Sequence, residues 1–187
     1  MDPGRVSSTD LTTGELPFGY RFHPTPFEVV QYYLWPKLKG EGLPSGYIKD
    51  LDVYKLDPRD IPINVSKYAR DNEAYFFVPI TRELAQAVHN STRTTPTGYW
   101  KMFEWNSPLY GPDGSIIGHK NKLKFYKGKY PNGVITDWKM VEYRTCFRAN
   151  DNVESLMVCK IKLKGEEEVI IEEEISSSSG EEDGGNS

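Results

Sequence analysis

Two stretches of this chain alternate with a period of two, and in both the outward residue is lysine. From Asn121 to Tyr126, Leu123 and Phe125 fall on one side and Lys122 and Lys124 on the other. From Val158 to Lys164, Cys159, Ile161 and Leu163 oppose Lys160, Lys162 and Lys164. A period of two is the pleat of a β-strand. Strands that are apolar on one side and charged on the other belong to a half-buried antiparallel sheet, here one with a basic face. The neighbouring sequence extends the pattern. Ala74 to Val78 is an aromatic run, Gly98 to Trp105 carries Tyr99, Trp100, Phe103 and Trp105, and Thr136 to Tyr143 reads as a further strand. Gly111-Pro112-Asp113-Gly114 and Pro131-Asn132-Gly133 supply the turns between them.

Upstream of the strands the pattern is helical and rich in loops. Thr25-Pro26-Phe27-Glu28 has the form of a capping box with proline at the first helical position. Val29, Val30, Tyr33 and Leu34 follow at spacings of three and four, an apolar stripe. Pro36 and Gly40 are expected to end that helix, and a short helix or turn is expected around Ile48 to Leu56, before Asp57-Pro58 and Ile61-Pro62. The fold class is therefore α+β: a twisted antiparallel β-sheet flanked by helices.

With 187 residues there is room for one domain of ordinary size and a tail. Residues 1–15, polar with Gly and Ser/Thr, read as a flexible leader, and 16–164 as the folded domain. Residues 165–187 read as an acidic, disordered tail of Glu, Ser and Gly around Val169, Ile170, Ile171 and Ile175. The longest apolar runs, such as Tyr75 to Ile80, are too short for a membrane helix, and residues 1–15 contain no secretory signal. Cys146 and Cys159 are too few for a disulfide framework, which fits a reducing compartment.

The net charge of −4 conceals a division along the chain. Residues 165–187 hold nine acids and no Lys or Arg, whereas 16–164 hold 22 bases and 15 acids. Within 93–148 there are ten Lys/Arg against four Asp/Glu. A basic domain followed by an acidic end suits a polyanion partner, and a solvated basic face is the plain alternative.

Catalytic and metal chemistry find little support. His23, His89, His119, Cys146 and Cys159 lack zinc-type spacing, and no phosphate-cradling glycine loop or nucleophile elbow is present. The expectation is a protein that is not an enzyme, with no cofactor, no small-molecule substrate and no membrane association. The feature that points to a function is Arg93-(x5)-Tyr99-Trp100-Lys101, on a strand followed by two lysine-rich strands. Lys and Arg neutralise phosphates, and a sheet ribbon fits the major groove of a duplex. On that reading Lys101, Lys120, Lys122, Lys124 and Lys129 form a binding face, while Trp100 packs and aims its strand.

Leu16-Pro17-Phe18-Gly19-Tyr20-Arg21-Phe22-His23-Pro24-Thr25 resembles the opening motif of the NAC domain, a plant transcription-factor family. The likeness continues through Ala74-Tyr75-Phe76-Phe77, Gly98-Tyr99-Trp100-Lys101, Gly118-His119-Lys120 and Phe125-Tyr126-Lys127-Gly128-Lys129. It extends to Thr136-Asp137-Trp138-Lys139-Met140, Glu142-Tyr143-Arg144 and Val158-Cys159-Lys160-Ile161. The resemblance implies a dimeric, nuclear, sequence-specific binder of double-stranded DNA. It places Tyr99, Trp100, Lys101, Met102, Phe103 and Glu104 on the strand that enters the major groove, with Arg93, Lys120 and Lys129 as phosphate clamps. It also implies a homo- or heterodimer with related proteins through Leu16, Pro17, Gly19, Arg21 and Glu28, the last two as a salt bridge across the dimer that fixes register.

Several positions depart from the family pattern. Met102-Phe103-Glu104 stands where alanine-threonine-glycine is usual, Asn90, Asn121 and Asn132 stand where bases are common, and Pro26-Phe27 replaces an acidic pair. Bulky groups and an acid on the recognition strand give a second reading of another class: a dimerising modulator with weak or no DNA binding that titrates related transcription factors.

Overall fold

The computed structural model describes residues 21–43, 46–63, 72–81, 84, 92–147 and 156–164. The leader, Leu16, Pro17, Gly19, Asn90 and the acidic tail lie outside the described residues.

One sheet of seven strands organises the chain: β1 (Lys49–Asp50), β2 (Glu73–Pro79), β3 (Thr92–Thr94), β4 (Gly98–Tyr110), β5 (Ile116–Lys127), β6 (Val134–Thr145) and β7 (Leu156–Leu163). Their order across the sheet is β1-β2-β7-β6-β5-β4-β3. All neighbouring pairs are antiparallel except β1 with β2, so the sheet is mixed rather than purely antiparallel. The two turns expected from sequence lie between β4 and β5 and between β5 and β6, and Gly114 in the first adopts φ 80. β4 runs five residues beyond the expected Trp105.

The expected capping box forms. The Thr25 N–H donates to Glu28 Oε2 at 2.7 Å, and the Glu28 N–H donates to Thr25 Oγ1 at 3.3 Å. It opens α1 (Pro26–Glu28), which leads through a wide, π-type stretch (Val29–Leu34) into α2 (Trp35–Leu38). Pro36 does not end the segment. In a regular helix its ring would press on the carbonyl of Tyr32, four residues back. Widening relieves that crowding, and the Trp35 N–H reaches Val30, five residues back. The chain leaves the helix at Gly40, with φ 72. Around Ile48 to Leu56 the structure places the two-residue β1 and a single 3-10 turn, Val53–Lys55, where Asp52 Oδ1 accepts from the Tyr54 N–H. Helical flanking of the sheet is thus more modest than the sequence suggested.

Each face of the sheet carries its own core. One is built from Phe76, Trp100, Leu123, Phe125, Met140, Cys159 and Ile161, with Val53 and Ile61 laid over them. On the other face Tyr75, Phe77, Tyr143 and Val158 meet Val29, Val30 and Leu34 of the helical segment, together with Phe22. Phe22 stacks on Tyr47 at 5.1 Å and meets Tyr75 edge-on at 5.3 Å. Full burial of each such apolar side chain is worth about 1.5–3 kcal/mol. Because the helical segment covers only part of its face, the remainder is left to charged side chains.

Candidate nucleic-acid interface

The exposed remainder of the second face is set by strand register. Lys101 of β4 lies opposite Lys124 of β5, Lys124 opposite Lys139 of β6, and Lys139 opposite Lys162 of β7. Directly opposed residues share a face, so four lysines from four adjacent strands form one row, which ends at Glu73 of β2. The next row holds Glu104, Lys122, Val141 and Lys160, and the one beyond it Ser107, Lys120 and Tyr143. Like charges in direct opposition cost stability. Part of the cost is offset by ring faces: Lys101 Nζ stands 5.9 Å from the Tyr126 ring centre and Lys124 Nζ 5.2 Å from that of Phe103.

β4 forms the rim of this face. β3 pairs only with Tyr99–Lys101, so among the described residues the outer side of β4 beyond Lys101 carries no strand. Its loop is held by Asp57, which is 5% exposed. Asp57 Oδ1 accepts from Thr95 Oγ1 at 2.6 Å and from the Thr97 N–H at 3.1 Å, while Oδ2 accepts from Thr97 Oγ1 at 2.7 Å. Burial pushes the Asp57 carboxyl up, but the bonds from Thr95 and Thr97 more than offset it and leave it below its ordinary range. The carboxylate therefore stays charged and aims the start of β4.

Two bulges then shape the rim. Phe103 is an extra residue between the pairs Met102–Leu123 and Glu104–Lys122, and a second irregularity falls between Glu104 and Ser107. There Asn106 adopts φ 54, and its N–H donates to Asn121 Oδ1 at 2.8 Å. The bulges turn Phe103 and Trp105 outward, 56% and 58% exposed. Met102 turns the other way and packs against the first core.

Glu104 does not stand alone as an acid on the rim. Lys122 Nζ lies 2.7 Å from Glu104 Oε2, and Ser107 Oγ donates to Oε1 at 2.7 Å. The bonds from Lys122 and then Ser107 hold the Glu104 carboxyl below its usual range.

Other residues expected at the interface lie elsewhere. Trp100 is fully buried beside Phe125, and Tyr99 is 1% exposed, stacked on Tyr126 with its hydroxyl donating to the Pro131 carbonyl. Both position β4 from within and present no surface to a duplex. Arg93, expected to clamp a phosphate, is 5% exposed and points to the first face, with Nε 3.6 Å from Glu142 Oε1. That carboxylate is wholly buried. It accepts from the Tyr54 hydroxyl and, at 2.7 Å, from Asn121 Nδ2, with Arg144 Nη2 3.8 Å away. Asn121 is thus an interior hydrogen-bonding residue. Burial, with the nearby Cys159 and Glu142, drives the Tyr54 hydroxyl well above its ordinary pKa. Lys101 and Lys129 are exposed, and Lys120, Lys122 and Lys124 half-buried. Lys129 is in the β5–β6 turn, apart from the rows.

Lys139 and Lys162 were not assigned to the binding face, because their place in the row depends on register rather than spacing. Of the expected dimer residues, Arg21 is exposed and Glu28 is half-buried, held by its own capping box. The Thr25 backbone N–H, and then its hydroxyl, keep the Glu28 carboxyl below its usual range. Among the described residues no three His, Cys, Asp or Glu are grouped to hold a metal, and no helix is long and apolar enough to cross a membrane.

The family described as No apical meristem (NAM) protein matches residues 17–145, and the chain belongs to that family, the NAC-domain proteins. Rice NAC domain-containing protein 2 is 44% identical over 129 residues, covering 69% of this chain and 40% of its own. Tomato NAC domain-containing protein 1 is 40% identical over 141 residues, covering 75% and 46%. Arabidopsis NAC transcription factor 25 is 40% identical over 129 residues, covering 69% and 39%. The chain therefore spans less than half the length of these curated relatives. Arabidopsis NAC transcription factors 25 and 56 are among the relatives named as transcription factors.

Proposed function

We propose that this chain is the DNA-binding part of a plant transcription regulator, acting in the nucleus as a dimer. The rim of β4 enters the major groove, and the lysine rows beside it meet phosphates. The observation that carries this reading is register: Lys101, Lys124, Lys139 and Lys162 stand in one row beside a strand whose outer edge beyond Lys101 pairs with no strand among the described residues. Lys101, Phe103, Lys120, Lys122 and Lys124 lie along that rim and face, with Lys129 as an outlying phosphate contact. Arg93, Tyr99 and Trp100 act from the interior as supports, and Met102 anchors the bulge to the core. Dimerisation through Leu16, Pro17, Gly19, Arg21 and Glu28 would double the contact area and set half-site spacing.

The modulator reading is favoured by one contact, the Glu104–Lys122 pair, which occupies a lysine on the rim. Selection by the full chain from a randomised duplex pool at several salt concentrations separates the two. Enrichment of a defined motif supports the DNA-binding reading. Unselective retention that disappears at modest salt would reject it in favour of the modulator.

A further inference from the structure

We infer that the rim of β4 takes up unstacked bases, one on each of the exposed rings of Phe103 and Trp105, and so prefers DNA in which a base step is open or easily opened. The inference rests on the reading of this rim as a DNA contact and specifies the kind of DNA it meets.

Phe103 and Trp105 are 56% and 58% exposed, although aromatic side chains carry a large apolar area that folding normally buries. Phe103 is the extra residue of the first bulge, and Trp105 lies within the second irregularity, so the geometry of the strand itself brings both rings out. They leave on opposite sides of the rim. Lys124 Nζ, on the lysine-bearing face, stands 5.2 Å from the Phe103 ring centre. Trp105 instead borders, with Arg93, Asn106, His119, Asn121 and Arg144, a cavity of about 40 Å3 on the face toward Glu142. A cavity of that size holds one or a few waters. A base therefore meets the indole from outside.

Exposed rings suit either another protein or nucleic-acid bases, and the surroundings favour bases. The core of a protein interface is a contiguous apolar patch. Here Met102, the apolar neighbour, packs inward, Glu104 stands between the rings, and Asn106 and Ser107 follow them. Cations flank both sides: Lys101, Lys122 and Lys124 on one, Arg144 on the other. Single rings among cations and polar groups make a surface that stacks bases while holding their backbone. A paired base in a regular duplex is already stacked above and below, so a step must open before a ring can take its place. Opening costs least at a mismatch or at a flexible pyrimidine–purine step. With the rim in the groove and one ring on either side of it, each base of one opened pair has a ring to stack on.

The test uses the full chain and two labelled duplexes of about 20 base pairs that differ only in a central T·T mismatch. Affinities are measured by fluorescence anisotropy over a series of salt concentrations. The mismatched duplex should bind about tenfold more tightly or better. Phe103→Leu and Trp105→Leu should each reduce that preference about threefold or more, whereas Trp105→Phe should keep most of it. All three should retain the parent's salt slope, because no phosphate contact is altered. Both rings are exposed, so the variants should also unfold at the parent's temperature. Equal, salt-dependent affinity for the two duplexes would overturn the inference and leave the proposed function standing. A preference that survives both leucine substitutions would overturn it as well. So would a sedimentation coefficient that rises with concentration in the parent but not in the leucine variants, which would assign the rings to a contact between copies. Absence of binding to either duplex would reject the proposed function and this inference together.

Discussion

Replacing Glu104 by glutamine tests the interface reading at its most informative contact. Glutamine keeps the acceptor for Ser107 Oγ, now 2.7 Å from Oε1, but removes the charge that holds Lys122 Nζ at 2.7 Å. Glu104 and Lys122 have side chains 32% and 37% exposed, so the pair contributes at most about 1 kcal/mol to stability and the domain should stay folded. What changes is the face: one acid leaves and one lysine becomes available to phosphate. Each additional neutralised phosphate steepens the slope of log K against log salt by about 0.9. Over a fourfold rise in salt, from about 50 to 200 mM, the variant should therefore lose about three- to fourfold more affinity than the parent. It should also bind more tightly at the lower salt. Fluorescence anisotropy with one labelled duplex, titrated at four or more salt concentrations, measures both quantities. A parallel line with the parent's slope would show that Lys122 does not meet phosphate, and the proposed orientation of the lysine rows would be wrong.

Three further outcomes follow from the interior. Glu142→Gln removes the wholly buried carboxylate between Arg93 and Arg144 and should destabilise the fold by about 3–5 kcal/mol. A urea-midpoint change worth less than about 1 kcal/mol would mean that the network is not held together by its charge. Gly98→Ala places a Cβ against the Tyr126 carbonyl and 2.5 Å from Phe125 Cζ, so a loss of about 1–3 kcal/mol in thermal unfolding is expected. At alkaline pH, burial raises the Tyr143 hydroxyl to about 12. The unfolded tyrosine ionises near pH 10 while the folded one keeps its proton, so stability is complete below about 10 and falls between about 10 and 12. The slope is about 1.4 kcal/mol per pH unit for this residue, and Tyr143→Phe should reduce it; an unchanged slope would refute the assignment.

What could be read from sequence was whatever depends on local periodicity. Leu123 and Phe125 against Lys122 and Lys124 gave the two faces of β5, and Thr25 with Glu28 gave the helix start. Of the two residues expected to end the helix, Gly40 does so and Pro36 does not, because a π-type widening absorbs a proline without breaking the segment. Register was not legible, since pairing depends on bulges, and neither the extra Phe103 nor the left-handed Asn106 has a signal in alternation. The lysine row was hidden for the same reason: alternation puts Lys162 on the outer side of its strand, but Lys139 and Lys162 become neighbours of Lys124 only when β6 and β7 are laid beside β5. Arg93 and Asn121 read as surface polar residues in a one-dimensional pattern. Only the carboxylate of Glu142, brought in by β6, turns them inward.

The side of β4 beyond Lys101, which carries no strand among the described residues, has a consequence for how molecules of this protein behave in a crowd. A long bare strand is ordinarily a template on which another strand can grow, the first step toward filaments. Here the template is spoiled along its length. Phe103 breaks the hydrogen-bond rhythm, Asn106 turns into the left-handed region, and Pro108 has no N–H to offer. An incoming strand would find only about two or three consecutive backbone partners before losing phase. Exposed Phe103 and Trp105 can therefore remain available to a partner's side chains or bases without inviting strand addition along this rim.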